Sequence, residues 1–151
     1  MTNTQTTTNI LMVDDNPGDV GLVRQVVENV RGIVLHVAHN VTQAHAFLMK
    51  MPPYDIAPVP DVIFLDLRMP KLPGYNVIPL VRREPLLRNV KIVMLTSSSL
   101  PSHRAQCDAL GADDYVVKPG DWEQWQATIT RALTRHGIPI HADDGHRATN
   151  A

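Results

Sequence analysis

Short apolar runs alternate along this chain with segments of helical periodicity. The runs are Ile10-Leu11-Met12-Val13, Ile33-Val34-Leu35-His36-Val37, Val62-Ile63-Phe64-Leu65, Ile92-Val93-Met94-Leu95 and Tyr115-Val116-Val117. They are rich in β-branched residues and apolar at consecutive positions, which suits strands of a parallel sheet covered by helices on both faces. Between the first two runs, Val20, Val23, Val27 and Val30 fall on one stripe, with Asn16 as the expected cap, Pro17 in the first turn and Gly32 after the end. Thr42 to Met51 carries Ala44, Phe47, Leu48 and Met51 at helical spacing. Asn76 is expected to cap a third helix, with Pro79 still in its first turn and Pro85 as its stop. Part of the Thr96-Ser97-Ser98-Ser99 run is expected to cap a fourth, which opens at Pro101 and ends at a left-handed Gly111. Asp121, with Gln124 three residues on, caps a fifth whose buried face is Trp122, Trp125, Ile129 and Leu133.

The resulting βαβαβαβαβα order predicts an α/β fold, an open doubly wound sheet of five parallel strands. Such sheets bind ligands beyond the carboxyl ends of their strands. The residues placed there are Asp14 and Asp15 after the first run, Asp66 after the third, Thr96 and Ser97 after the fourth, and Lys118 after the fifth. Three carboxylates brought together repel one another, and a hard divalent cation such as Mg²⁺, which takes oxygen ligands, relieves that repulsion. A phosphoryl group in transfer needs the same surroundings: a metal on its oxygens, a cationic side chain and hydroxyl or amide donors. Asp66 is the central carboxylate and can act as the nucleophile that forms an aspartyl phosphate, with Lys118 and Thr96 holding the phosphoryl oxygens from the other side.

Composition narrows the reading further. Fourteen Lys and Arg against 15 Asp and Glu leave a net charge of -1, without the basic excess that non-specific nucleic-acid binding requires. No apolar run approaches the ~18 residues of a membrane span, and the MTNTQTTTN start lacks a basic segment followed by an apolar core. The single Cys107 excludes an internal disulfide and fits a cytoplasmic protein. Cys107 itself reads as a small packing residue. Residues 1–8 and 139–151 are polar and aperiodic, so the expected folded unit is 9–138 flanked by two tails. Among the seven histidines, His36 and His39 have opposite parity on a strand, and no Cys/His spacing suggests zinc. No GxxxxGK[ST] loop is present.

Val13-Asp14-Asp15, Leu65-Asp66-Leu67-Arg68-Met69-Pro70 with Gly74, Leu95-Thr96-Ser97 and Tyr115-Val116-Val117-Lys118-Pro119 together resemble the receiver domain of two-component response regulators, over residues 9–136. The resemblance implies a flavodoxin-like (βα)5 fold with strand order 2-1-3-4-5. It implies that a partner histidine kinase phosphorylates Asp66. It further implies that Asp15 and Asp66 ligate Mg²⁺ directly, that Asp14 acts through water, and that the backbone carbonyl of Arg68 supplies another ligand. Thr96 is then the switch hydroxyl and Lys118 the phosphoryl contact. Tyr115 is the aromatic that rotates inward as Thr96 moves. Arg68 and Ser98 face the mouth of the site and tune phosphoryl lifetime. Lys118-Pro119 matches a bond that is cis in the family.

Asn16-Pro17-Gly18-Asp19, the proline-rich segment 52–60, and Glu84-Pro85 followed by Leu87-Arg88-Asn89-Val90 resemble stand-alone response regulators that serve bacterial phytochrome kinases. From its own chemistry, Asn16 to Asp19 is a strand-to-helix turn. The subfamily likeness implies a light-sensing kinase partner, a downstream protein target or phosphotransfer protein, and dimerisation through the fourth helix, fifth strand and fifth helix. On this reading residues after 136 leave no room for an output domain, and the chain turns over no external substrate. The alternatives are a pseudo-receiver that only binds partners and a small flavodoxin-like cofactor enzyme; the intact Asp66, Thr96 and Lys118 weigh against the first, and the lack of a phosphate-cradling loop against the second.

Overall fold

The computed structural model describes residues 7–138 and Ile140. Most of the two expected tails lies outside the described residues. Five strands form one sheet: β1 (Thr8–Val13), β2 (Ile33–Ala38), β3 (Val62–Leu65), β4 (Lys91–Thr96) and β5 (Asp114–Val117). All pairings are parallel and the order is β2-β1-β3-β4-β5. Both the fold class and the strand order expected from sequence are observed. β1 starts at Thr8, inside the expected tail, because its amide donates to the Gly32 carbonyl at 2.7 Å. At the other end Ile138 is buried, and Ile140 is half-buried against the same cluster.

Strand side chains alternate between two cores. Leu11, Val13, Ile63, Leu65, Ile92 and Met94 face one side. They pack with Phe47 and Leu48 of α2 (Val41–Leu48), Val77, Ile78 and Val81 of α3 (Val77–Arg83), and Cys107 of α4 (Pro101–Leu110). Ile10, Met12, Val62, Phe64, Val93 and Leu95 face the other. There they meet Val20, Val23 and Val27 of α1 (Pro17–Val27) and Trp125, Ile129 and Leu133 of α5 (Trp122–Arg135). Burying each such side chain contributes ~1.5–3 kcal/mol before ordering entropy is counted. The apolar runs are continuous because both of their faces are covered.

Helix starts follow side-chain chemistry at three of the five helices. Asn16 accepts from the amides of Gly18 and Asp19, Asn40 from Gln43, and Asp121 from Gln124. Gln43 Oε1 in turn accepts from the His39 amide, so Asn40 heads a near-reciprocal box not expected from the sequence. Two expected caps are corrected. Asn76 is itself helical and makes no capping bond, because a 3-10 turn over Gly74–Asn76 already leads into α3. The Ser run does not cap α4 either: Leu100 occupies the cap position without a side-chain bond, and Ser98 Oγ accepts from the Leu100 amide instead. α3 ends at Arg83, and Pro85 opens a further 3-10 turn, Pro85–Leu87. α4 closes on Gly111 at φ 113, as its sequence predicted.

The Lys118-Pro119 bond is trans, contrary to the cis bond that the resemblance implied; among the described residues the cis bond is Pro52-Pro53. Trans is the lower form of an X–Pro bond by ~0.5–1 kcal/mol, and the Lys118 ammonium reaches the carboxylates from it. The proline-rich segment folds back on the first core: Ala57 is buried, and the Tyr54 ring packs on Phe47 at 5.6 Å between centroids.

Candidate phosphoryl and cation site

Four strand ends deliver the site. Parallel pairing of β1 with β3 aligns Val13 with Leu65, so the residues that follow, Asp14 and Asp66, emerge side by side. Both carboxylates are buried, whereas Asp15 is exposed. Asp14, Asp15 and Asp66 each offer an oxygen within 4.8 Å of the others. From the next two strands, Thr96 ends β4 fully buried, and its carbonyl accepts from the Lys118 amide at 2.8 Å, which locks the end of β5 beside it.

Lys118 crosses to the carboxylates. Its Nζ lies 2.7 Å from Asp19 Oδ2, 3.0 Å from Asp14 Oδ2 and 3.2 Å from Asp66 Oδ2, and its side chain is 10% exposed. Burial by itself would lower its affinity for a proton, but Asp19, Asp14 and Asp66 outweigh that and hold the ammonium well above the usual lysine range. Asp14 experiences the opposite. Burial pushes its carboxyl up to about 6, although the Asn16 amide and Lys118 pull it down. Its Oδ1 accepts from the Asn16 amide at 2.9 Å. Its Oδ2 pairs with the Lys118 ammonium at 3.0 Å, without a well-aligned hydrogen bond. Hard oxygen donors from three carboxylates, compensated by one ammonium, form a set that suits a divalent cation.

The remaining expected residues line the rim. Asp66 Oδ1 receives the Arg68 amide at 3.4 Å. The Arg68 side chain is exposed and borders, with Asp15, Met69, Lys71, Tyr75 and His103, a cavity of about 700 Å³. Ser97 is exposed and Ser98 buried. The Ser98 amide points at Thr96 Oγ1 at 3.4 Å. Tyr115 is buried, with its hydroxyl donating to the Ser98 carbonyl at 2.8 Å and the Arg104 guanidinium 5.8 Å from its ring centroid. Thr96, Ser98 and Tyr115 therefore form one connected unit. Gly74 is required by backbone contact: a Cβ there would lie 1.7 Å from the Asp66 carbonyl oxygen.

Two residues were missed from sequence. Asp19 makes the shortest contact with Lys118, and His103 Nδ1 lies 2.5 Å from Ser98 Oγ. Asp19 had one available signal: it sits three residues after the Asn16 cap, in the first turn of a helix that starts on the same rim.

The profile of the response regulator receiver domain family matches residues 10–130. The chain belongs to that family. Among curated relatives, the DNA-binding dual master transcriptional regulator RpaA of Synechocystis is 32% identical over 126 residues, covering 83% of this chain and 48% of its own length. The phosphate regulon transcriptional regulatory protein PhoB of Pseudomonas aeruginosa is 30% identical over 128 residues, covering 85% of this chain and 52% of its own. The chain thus spans about half the length of these relatives. Among solved structures, the bacteriophytochrome response regulator RtBRR superposes with a TM-score of 0.70 at 30% identity, over 91% of this chain and 82% of that one. The Mn²⁺-bound form of response regulator Rcp1 superposes with a TM-score of 0.77 at 25% identity, over 89% and 99%. The phosphorylated cyanobacterial phytochrome response regulator RcpA gives a TM-score of 0.80 at 24% identity, over 85% and 92%, and attests the fold. No described helix of this receiver is long and apolar enough to cross a membrane.

Proposed function

We propose that this receiver accepts a phosphoryl group on Asp66 from the phosphohistidine of a partner kinase and signals by rearranging the unit of Thr96, Ser98 and Tyr115. The observation that carries the reading is the Lys118 ammonium 3.2 Å from Asp66 at the mouth of a sheet that also brings the Asp14 and Asp15 carboxylates within 4.8 Å of Asp66. In the transfer, an Asp66 carboxylate oxygen attacks phosphorus, a P–O bond forms, the P–N bond breaks, and the imidazole keeps the electron pair. Asp15 and Asp66, with the Arg68 carbonyl and with Asp14 through water, would hold Mg²⁺, which neutralises charge on the phosphoryl oxygens. Lys118 and the hydroxyls of Thr96 and Ser97 hold those oxygens opposite. Thr96 Oγ1 moving toward them leaves the Ser98 amide, and the Ser98 carbonyl carries that shift to the Tyr115 hydroxyl. Arg68 and Ser98, at the mouth, set how fast water removes the phosphoryl group.

The receiver unit on this reading is residues 9–138, acting in the cytoplasm and turning over no external substrate. The partner kinase is a bacterial phytochrome, a reading supported by the likeness to the bacteriophytochrome response regulator RtBRR. Output passes to a downstream protein target or phosphotransfer protein. The homodimer face is α4, β5 and α5, supported by β5 being a sheet edge with Val117 exposed.

The test is a mass measurement after incubation with a small acyl phosphate or phosphoramidate and Mg²⁺. The expected result is a gain of one phosphoryl group that Asp66→Asn abolishes. No gain in the wild-type chain would make it an interaction module on the receiver fold.

A further inference from the structure

We propose that Asp19 is a positioning residue for this site: it takes a share of the Lys118 ammonium toward α1 and so keeps that charge from closing further onto the oxygens of Asp14 and Asp66 that a cation and a phosphoryl group require. The proposal rests on the receiver reading above. An ammonium has three N–H donors, and Lys118 meets three carboxylates. Its shortest contact, 2.7 Å, is to Asp19, the one carboxylate of the three that lies outside the Asp14, Asp15 and Asp66 trio. The contacts to Asp14 and Asp66 are longer, 3.0 and 3.2 Å, and the one to Asp14 is an ion pair without a well-aligned hydrogen bond. The ammonium is therefore shared among the three carboxylates and held most closely by α1.

Asp19 is itself held in place. Its amide donates to Asn16 Oδ1 at 3.1 Å, in a first turn whose φ is fixed by Pro17. An acidic residue there also favours the helix dipole, a role that needs no contact with Lys118. The two roles separate once Asp19 is neutralised. A 10% exposed ammonium that loses Asp19 has Asp14 and Asp66 as its remaining anionic neighbours. It then closes on them and competes with a dication for the same oxygens.

The experiment is calorimetric titration of Mg²⁺ into the full chain as wild type, Asp19→Asn, Asp19→Glu, Lys118→Ala and the Asp19→Asn/Lys118→Ala double variant, with Asp66 phosphorylation followed by mass in parallel. The expected result is about three- to tenfold weaker Mg²⁺ binding in Asp19→Asn, the scale of one net hydrogen bond redirected. Asp19→Glu is expected to recover most of the affinity. In the Lys118→Ala background the same Asp19→Asn change is expected to leave affinity unchanged. Unaltered or tighter binding in Asp19→Asn overturns the proposal. An equal loss in the Lys118→Ala background also overturns it, because Asp19 would then act through its own field. Asp19→Ser, which keeps a helix-start residue, gives the same reading if Asp19→Asn does not fold. A wild type that neither binds Mg²⁺ nor gains mass fails the receiver reading and this proposal with it; a wild type that does both while Asp19→Asn binds Mg²⁺ as it does fails only this proposal.

Discussion

Replacing Asp14 by Asn should make the metal-free protein more stable. The Asp14 carboxyl is 1% exposed and its pKa is raised from 3.8 to about 6, first by burial and with Asp66 adding to it. That value already contains the attraction of Lys118 and the Asn16 amide, so it reports the net cost of ionising the group in place. Two units at ~1.36 kcal/mol each make that cost about 3 kcal/mol. Asn imitates the protonated carboxyl: its carbonyl keeps the bond from the Asn16 amide, and Lys118 retains Asp19 and Asp66. The expected gain near pH 7.5 in chelator is therefore about 3 kcal/mol, or roughly 6–12 °C in Tm for a chain of this size. The pH dependence follows from the sign of the shift. With a raised folded pKa, the native state binds more protons than the unfolded state between about 4 and 6, so wild-type stability climbs as pH falls through that window. The gap between variant and wild type is widest above pH 7 and closes toward pH 4. Millimolar Mg²⁺ should raise the wild-type Tm and move the variant less, since the cation stabilises only the state that binds it. Thermal melts in chelator from pH 4.5 to 8, repeated with Mg²⁺, check all three effects. A variant no more stable than wild type at pH 7.5, or a gap that stays constant with pH, would refute the account of Asp14.

Gly74→Ala should lose more than ~3 kcal/mol in urea unfolding or move Asp66 enough to slow its phosphorylation, because the new Cβ meets the Asp66 carbonyl backbone at 1.7 Å. Asp114→Asn should destabilise at neutral pH. Burial would raise this carboxyl, but His136, the Tyr115 amide and Arg135 outweigh it and hold its pKa below the ordinary value. That stability is present above the unfolded carboxylate pKa and lost as acid protonates the folded group, so denaturant melts of variant and wild type should converge at low pH.

The fold was legible because both faces of the sheet are covered. Continuous runs such as Val62 to Leu65 bury every side chain, and a pattern of that kind has few readings besides a parallel strand. The residues at the strand ends were legible for the same reason: once Val13 and Leu65 are placed in neighbouring strands, Asp14 and Asp66 must emerge together. What failed depends on local competition that residue type does not resolve. Asn76 is a good cap by type, yet the 3-10 turn from Gly74 takes its backbone into the helix first. Ser98 stands near a helix start, yet its hydroxyl meets His103 and the Leu100 amide.

Asp19 escaped for a different reason, one that belongs to the topology. α1 follows β1 and α5 follows β5, strands that are not neighbours in the sheet, but the two helices cover the same face and share one core. That packing brings the first turn of α1 to the end of β5, where a residue 99 positions away supplies the ammonium. Ligands that leave the sheet directly are marked by the end of an apolar run. Those that return to the rim on a helix start carry no such mark, although an acidic residue in a capped first turn is held by the cap. In a doubly wound sheet the first turns of helices therefore feed the rim together with the strand ends, and Asp19 is the residue that α1 adds to the receiver's charge balance.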